Sequence, residues 1–241
     1  MRAERAFDPF TQDSTPLESD ALTLLARTIL RDYRGRIALV SSFGAESIVL
    51  LDMVATISPS TPVLLNETGM LFPETLDYQR EVSSMLGLSN VQLVRPTRQR
   101  LAAVDPDDML HRFDTDACCN LRKREPLKRA LAPFDAWITG RKRFQNSLRA
   151  ELEEIEQDDD GKRKVNPLAR WTAADIAAYL DRHDLPRHPL VSQGYPSIGC
   201  EPCTSRVADG EDPRAGRWRG SDKTECGIHY VEGQFIGGGG I

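Results

Sequence analysis

The sequence predicts an α/β fold, a mostly parallel sheet flanked by helices with a loop-rich C-terminal tail. Three observations carry that expectation. Short, almost wholly apolar runs such as Ile37 to Ser41 and Val63 to Asn66 alternate with longer stretches whose apolar residues recur at helical spacing. Such strands, without polar alternation, belong to parallel sheets covered on both faces. From Ser192 onward Gly and Pro become frequent and the periodicity is lost. With 241 residues, 40% of them hydrophobic, the chain can bury one full core. It divides into an N-terminal helical segment (1–35), an α/β domain (36–190) and a C-terminal segment (191–241).

Taken in order, Leu22, Leu25, Ala26, Ile29 and Leu30 predict a helix over 21–33, with Ser19 or Asp20 as N-cap and Gly35 as its stop. Ile37 to Ser41 is a strand that runs directly into Ser42-Phe43-Gly44-Ala45-Glu46-Ser47 and then into the helical stretch Ile48 to Ile57. The alternation repeats with a strand over 63–66, a helix over 73–86, a strand over 91–95 and a strand over 136–139 that ends at Gly140. Ligands of such sheets bind at the C-terminal ends of the strands. Ser41 to Ser47, Thr68-Gly69 and Gly140 to Arg143 all follow strand ends, so one site can draw on all three. Thr172-x-x-Asp175 is a helix-start signal, and Ile176, Ala177 and Leu180 continue it as a helix within 171–183. The acidic stretch Glu151 to Asp160 reads as a solvated face or loop. Gly237 to Gly240 reads as a flexible end without an assigned role, and there is no internal repeat.

A net charge of -5 argues against a general nucleic-acid binder, because phosphate backbones are gripped through clustered Lys and Arg. No apolar run reaches membrane-spanning length, and Met1 to Asp20 has no apolar signal core. The expectation is a soluble, cytoplasmic protein with no membrane partner.

Five cysteines in such a chain do not read as a disulfide framework. They parse as four plus one: the adjacent pair Cys118-Cys119, the pair Cys200-Glu201-Pro202-Cys203, and Cys226 alone. Thiolates with two residues between them converge on one metal centre, with the adjacent pair supplying the other ligands from far away in sequence. Spacing alone leaves a four-thiolate zinc site, an iron-sulfur cluster and unligated buried cysteines all open. The loop Ser41 to Ser47 is equally two-sided. It is either an anion cradle at a helix N-terminus or a plain serine-capped turn, and it lacks the Gly-Lys-Ser/Thr of a nucleotide-hydrolysing P-loop. Arg122, Lys123 and Arg124 place cations next to the first cysteine pair, although most of that basic run reads as a solvated helix face.

These motifs resemble the adenylyl-sulfate and phosphoadenylyl-sulfate reductases of assimilatory sulfate reduction. The resemblance runs from about Arg36 to His229. It is carried by Ser-Ser-Phe-Gly-Ala-Glu-Ser, Thr68-Gly69-Met70-Leu71-Phe72-Pro73-Glu74-Thr75, Cys118-Cys119-x-x-Arg122-Lys123, Asn166-Pro167-Leu168, Cys200-x-x-Cys203 and Glu225-Cys226-Gly227-Ile228-His229. It implies an adenine-nucleotide alpha-hydrolase-like, Rossmann-like sheet. It also implies a [4Fe-4S] cluster on Cys118, Cys119, Cys200 and Cys203, the set found in the branch that reduces adenosine 5'-phosphosulfate. The runner-up is reduction of the 3'-phosphorylated nucleotide, or of both.

By the same resemblance, Ser41, Ser42, Phe43, Gly44, Ala45, Glu46 and Ser47 bind the phosphosulfate, while Asn66, Thr68 and Gly69 line the adenosine pocket. Gly140 and the basic residues after it close around the ribose phosphate; Arg149, Arg214 and Arg217 hold the sulfate end. Lys123 tunes the cluster or holds the anionic substrate. Cys226, with His229 as neighbour, is the nucleophile on a mobile tail, forming an S-sulfocysteine that thioredoxin resolves, since the chain has no sixth cysteine. The sequence departs from the family's more usual Asp-Thr-Gly at Glu67-Thr68-Gly69 and from Arg-Asp-Gln-Ser at Arg143-Phe144-Gln145-Asn146. Homo-oligomer formation is left open.

Overall fold

The computed structural model describes residues 14–145, 149–221, 223, 225 and 228. Its centre is a six-stranded sheet in the order β3-β2-β1-β4-β6-β5. The strands are β1 (Ile37–Val40), β2 (Val63–Asn66), β3 (Val91–Val94), β4 (Ala136–Ile138), β5 (Ile155–Gln157) and β6 (Arg163–Val165). All neighbours pair in parallel except β5, which runs antiparallel to β6.

Period two explains how such short strands hold two layers together. Ile37 and Leu39, Val63 and Leu65, and Ala136 and Ile138 face one core. Their neighbours Ala38, Leu64 and Trp137 face the other. The first core is closed by α1 (Pro16–Arg27), α2 (Ser47–Ile57), α3 (Pro73–Leu86) and α8 (Ala173–Arg182), through residues such as Leu25, Leu51, Val82 and Ile176. The second is closed by Leu127 and Leu131 of α7 (Glu125–Leu131). The short helices α4 (Arg98–Val104), α5 (Leu110–Phe113) and α6 (Thr115–Cys119) lead into α7, and α4 and α5 bury no residue. Among the described residues no helix is long and apolar enough to cross a membrane.

The β2 and α3 boundaries coincide with the sequence expectation, and the capping box of Thr172 and Asp175 starts α8. Two expectations need correction. The first helix begins at Pro16, not at residue 21, because Thr15 caps it by accepting from the Glu18 N–H at 3.2 Å and Pro16 takes a position that needs no N–H donor. It passes into a π-helical turn over Thr28–Asp32, where the Thr28 hydroxyl donates to the carbonyls of Leu24 and Leu25. The acidic stretch is not wholly loop either, since it supplies β5 as an antiparallel edge. Asp158 makes that hairpin: one carboxylate oxygen accepts from the Lys162 N–H at 2.8 Å and the other from the Trp137 indole N–H at 2.8 Å. A side-chain turn of this kind leaves no hydrophobic signature.

His188 ties the chain after α8 to α3. Its Nδ1 accepts from the Leu190 N–H at 3.2 Å, its Nε2 shares a 3.1 Å hydrogen bond with Thr75 Oγ1, and its ring stands 4.8 Å from that of Tyr78. Burial pushes its pKa down to about 4, with Glu74 opposing weakly. The unfolded ring takes up a proton below its ordinary pKa, whereas the folded ring refuses it. The stabilisation is therefore full above that ordinary value and is lost as pH falls toward 4, by up to about 3 kcal/mol. Urea denaturation between pH 7 and pH 4 should show a shallower stability slope for His188→Gln than for the wild type; equal slopes would refute the assignment.

Candidate active site

β1 is bordered by β2 on one side and by β4 on the other, so the chain reverses its direction of travel across the sheet there. A crevice opens at such a switch point beyond the strand ends. It holds a cavity of about 280 Å³, lined from β1 by Ser41, Ser42, Gly44, Ala45, Glu46 and Ser47. Phe43 of the same loop takes a left-handed φ of 48° and is fully buried in the core, so its ring anchors the loop from below. The Ser41 hydroxyl accepts from the Phe43 N–H at 3.2 Å, and the Ser47 hydroxyl accepts from the Gly44 N–H at 3.0 Å. Ser47 opens α2, whose N-terminal end carries partial positive charge.

The opposite wall is cationic. Gly140, Arg141 and Lys142 follow β4 into the cavity, with Arg149, Arg214 and Arg217 beside them. Each buried cation described here has carboxylate help. Lys142 Nζ donates to Glu46 at 2.8 Å, Arg141 pairs with Glu156, and Arg149 pairs with Glu225 at 2.5 Å. Burial lowers the pKa of Lys142, Glu46 opposes that, and Arg149 and Arg214 add to the lowering. From β2 comes Asn66, whose Oδ1 is buried with no hydrogen-bond partner. An unpaired acceptor in a cavity wall is a seat for a ligand donor such as an amino group or a hydroxyl.

Next to this wall lies a nest of four thiols. Cys118 and Cys119 end α6, while Cys200 caps and Cys203 ends a one-turn helix joined to the loop between β2 and α3 by the Leu71–Cys200 bridge. None of the four forms a disulfide. Burial pushes the Cys118 thiol up to about 12, with repulsion from Cys119, Cys200 and Cys203 adding to it and Arg122 opposing it. Burial raises Cys200 as well, but the charge and hydrogen bond of Lys123, the Thr68 hydroxyl at 3.3 Å and Arg217 outweigh it and leave this thiol below its ordinary value. Burial and Cys200 raise Cys203. Among the described residues, no three His, Cys, Asp or Glu side chains are gathered tightly enough to hold a single ion. The donor set is all sulfur, the chemistry of zinc-thiolate and iron-sulfur centres, and these thiols would ionise together only around a positive centre.

The structure thus brings most of the residues singled out in the sequence to one place and separates a few. Asn66 lines the cavity, whereas Thr68 and Gly69 lie on its thiol side: Thr68 is fully buried against Cys200, and a Cβ on Gly69 would touch Arg122. Lys123 belongs to both parts, lining the cavity and acting on Cys200. Cys226 and His229 lie outside the described residues, but their neighbours Glu225 and Ile228 line the same cavity.

Arg122 departs from the solvated basic face expected of its run. It is 2% exposed, and its guanidinium donates to Asp105 at 2.6 and 3.1 Å, to Asp108 at 2.5 Å and to the Thr68 carbonyl at 2.9 Å. Burial would lower its pKa, but the two carboxylates prevail and hold it up. Its partner Asp105 lies 17 residues away in the chain, so no local pattern marks the pair.

Parallel strands, a serine-lined and cationic switch-point cavity, and an all-thiol nest sharing Lys123 with it define an α/β protein built to hold an anionic small molecule beside a sulfur-rich centre. The chain belongs to the phosphoadenosine phosphosulfate reductase domain family, which matches residues 36–206. It is 52% identical over 214 residues to adenosine 5'-phosphosulfate reductase of Chelativorans sp. (strain BNC1), covering 88% of this chain and 86% of the relative. It is 44% identical over 212 residues to phosphoadenosine 5'-phosphosulfate reductase of Gloeobacter violaceus, covering 86% and 87%. Among solved structures, phosphoadenylyl-sulfate reductase from Candida auris, a phosphate complex, superposes with a TM-score of 0.64 at 26% identity over 78% of this chain and 90% of that one. Yeast FAD synthetase in complex with FAD shares the fold, with a TM-score of 0.55 at 15% identity over 82% and 71%.

Replacing Arg122 by Met should leave Asp105 buried without its cation and cost about 3–5 kcal/mol in urea denaturation, part of it recovered when Asp105→Asn is added. Gly199→Ala acts differently, since a Cβ there would fall inside the Arg217 guanidinium, the far end of a flexible side chain. Arg217 should yield, leaving thermal stability near that of the wild type while sulfate binding by calorimetry weakens severalfold. Unchanged sulfate affinity would count against a role for Arg217 in the cavity.

Proposed function

We propose that this protein reduces adenosine 5'-phosphosulfate to sulfite and AMP in the cytoplasm, in assimilatory sulfate reduction, with thioredoxin as reductant. The observation that carries the reading is Lys123, which joins the serine-lined cationic cavity to the four-thiol nest. The names of the more similar relatives, and the orphaned Asn66 acceptor in the cavity wall, support an adenosine-bearing ligand.

The nucleotide's phosphosulfate would lie along the Ser41–Ser47 loop, with Asn66 accepting from the adenosine. Lys123, Arg149, Arg214 and Arg217 would face the sulfonyl end. Their charge offsets the repulsion between an anionic sulfonyl group and an incoming thiolate, and it acts most strongly where water is excluded. The Cys226 thiolate attacks the substrate sulfur. A sulfur–sulfur bond forms as the bond from sulfur to the phosphate oxygen breaks, and AMP departs with the electron pair. His229 would stand beside this thiolate.

The resulting S-sulfocysteine is opened by a thiolate of thioredoxin, which attacks the Cys226 sulfur and expels sulfite. Thioredoxin's second thiol then attacks the mixed disulfide, so the partner leaves oxidised by two electrons and Cys226 is restored. Cys118, Cys119, Cys200 and Cys203 would hold a [4Fe-4S] cluster. When bound, the cluster supplies a fixed structural and electrostatic element beside Lys123, because the partner's two thiols already provide both electrons.

Reduction of the 3'-phosphorylated nucleotide, alone or in addition, is the second reading, favoured by the relative of that name in Gloeobacter violaceus. Sulfite release from the two nucleotides with reduced thioredoxin separates the readings. Incubation with adenosine 5'-phosphosulfate alone should leave a sulfite-sized adduct on Cys226 by mass spectrometry. Cys226→Ser should abolish both adduct and turnover while keeping the visible absorption of the cluster, and retained turnover would sink the mechanism. Lys123→Ala should lower kcat/KM by on the order of 100-fold.

A further inference from the structure

The residue next to the proposed nucleophile occupies the anion subsite. Glu225 is 5% exposed, and one of its carboxylate oxygens stands 2.5 Å from Arg149 Nη2 and 3.8 Å from Arg214 Nη2. All three side chains line the cavity that begins at the Ser41–Ser47 loop. Two other cations of that wall are engaged elsewhere: Lys142 with Glu46, and Arg141 with Glu156 and Asn166. Arg149 and Arg214 are thus matched by a carboxylate from the C-terminal segment itself.

That carboxylate is well held. Two residues before it, Lys223 pairs with Asp116 of α6 and donates to the Thr115 carbonyl at 3.4 Å. Three residues after it, Ile228 packs on the apolar cluster of Leu127, Leu131 and Trp137. On either side of Glu225 in the chain, Lys223 is thus held by an ion pair and Ile228 by apolar packing, while Glu225 itself meets the two arginines.

We propose that Glu225 is an internal competitor for the anionic end of the substrate, setting the affinity of the Arg149–Arg214 subsite and requiring that the incoming anion displace it. A buried guanidinium that loses its carboxylate is left uncompensated, and an anionic ligand relieves that cost. The carboxylate and the ligand's sulfate or phosphate oxygens seek the same N–H donors, so occupancy by one excludes the other. Engagement of the anion at the subsite would then release Glu225, the residue before Cys226 in the sequence, while Lys223 and Ile228 keep their own contacts. Glu225 acts as a positioning and affinity-setting residue and takes no part in bond making.

The inference rests on the proposed reading of the cavity as a sulfonucleotide site, and its test uses no turnover. Calorimetric titration of the full-length protein with inorganic sulfate and with AMP should show Glu225→Gln binding sulfate on the order of tenfold more tightly than the wild type, with Glu225→Asp close to the wild type. A merely structural role would weaken binding or leave it unchanged, and either result in a Glu225→Gln protein with wild-type far-UV circular dichroism overturns the proposal. Should Glu225→Gln fail to fold, the wild type decides. Saturating sulfate should speed alkylation of Cys226 by iodoacetamide, and an unchanged or slower rate overturns the proposal. Failure of the reductase reading would show separately, as absence of sulfite release from adenosine 5'-phosphosulfate while these anion titrations keep their order.

Discussion

Everything at the site depends on where β1 sits in the sheet. Its backbone pairs with β2 on one edge and β4 on the other, in registers that set Leu39 beside both Val63 and Ile138. Three parallel strands therefore end at the same edge of the sheet, and each delivers a different chemical group there. β1 brings serines and backbone N–H groups, β2 brings Asn66 and then Thr68, and β4 brings Gly140 followed by two cations. The ladder makes this arrangement rigid, because no strand can slip by one residue without turning its apolar set out of both cores.

A second constraint is charge in a dry place. The cavity wall and the thiol nest bury many ionisable groups within reach of one another, and Lys142, Arg141, Arg149 and Arg122 all find a carboxylate. Arg122 is the extreme case, with carboxylates on one side and the Thr68 carbonyl on the other. Through Thr68, whose hydroxyl meets Cys200, it links the helix ending in Cys118 and Cys119 to the turn carrying Cys200 and Cys203. Two cysteine pairs far apart in sequence are thus held in one nest by a buried arginine that is not itself one of the sulfur groups. Lys123, the next residue, acts on Cys200 and also lines the cavity.

Much of the fold was legible because it is written in periodicity. The runs over 37–40, 63–66 and 136–138 announce themselves as buried strands, and α3 and α8 carry their start signals in Pro73 and in the Thr172–Asp175 box. The β5–β6 hairpin was hidden because its strands are three residues long, partly exposed, and turned by the carboxylate of Asp158. The start of α1 was hidden behind a cap at Thr15, well ahead of Leu22, the first residue of the periodic set. In the site, strand-end residues and cysteines could be picked out by type and place. Arg122 could not, since a basic residue in a basic run looks the same whether it meets water or a buried aspartate.

The sequence by itself determined the chemistry available: four clustered cysteines and one apart, a serine-rich loop after the first strand, and basic residues after the fourth. It also determined the layered α/β architecture, since hydrophobic spacing is a local property that burial on two faces imposes on each strand. Only the tertiary structure decided which cations face the cavity, that Thr68 turns to sulfur while Asn66 turns to the ligand space, and that Glu225 sits on Arg149 and Arg214. The reason is physical. A charge or hydroxyl acquires its role from its partner and its dielectric surroundings, and those are set by residues tens to more than a hundred positions away in the chain.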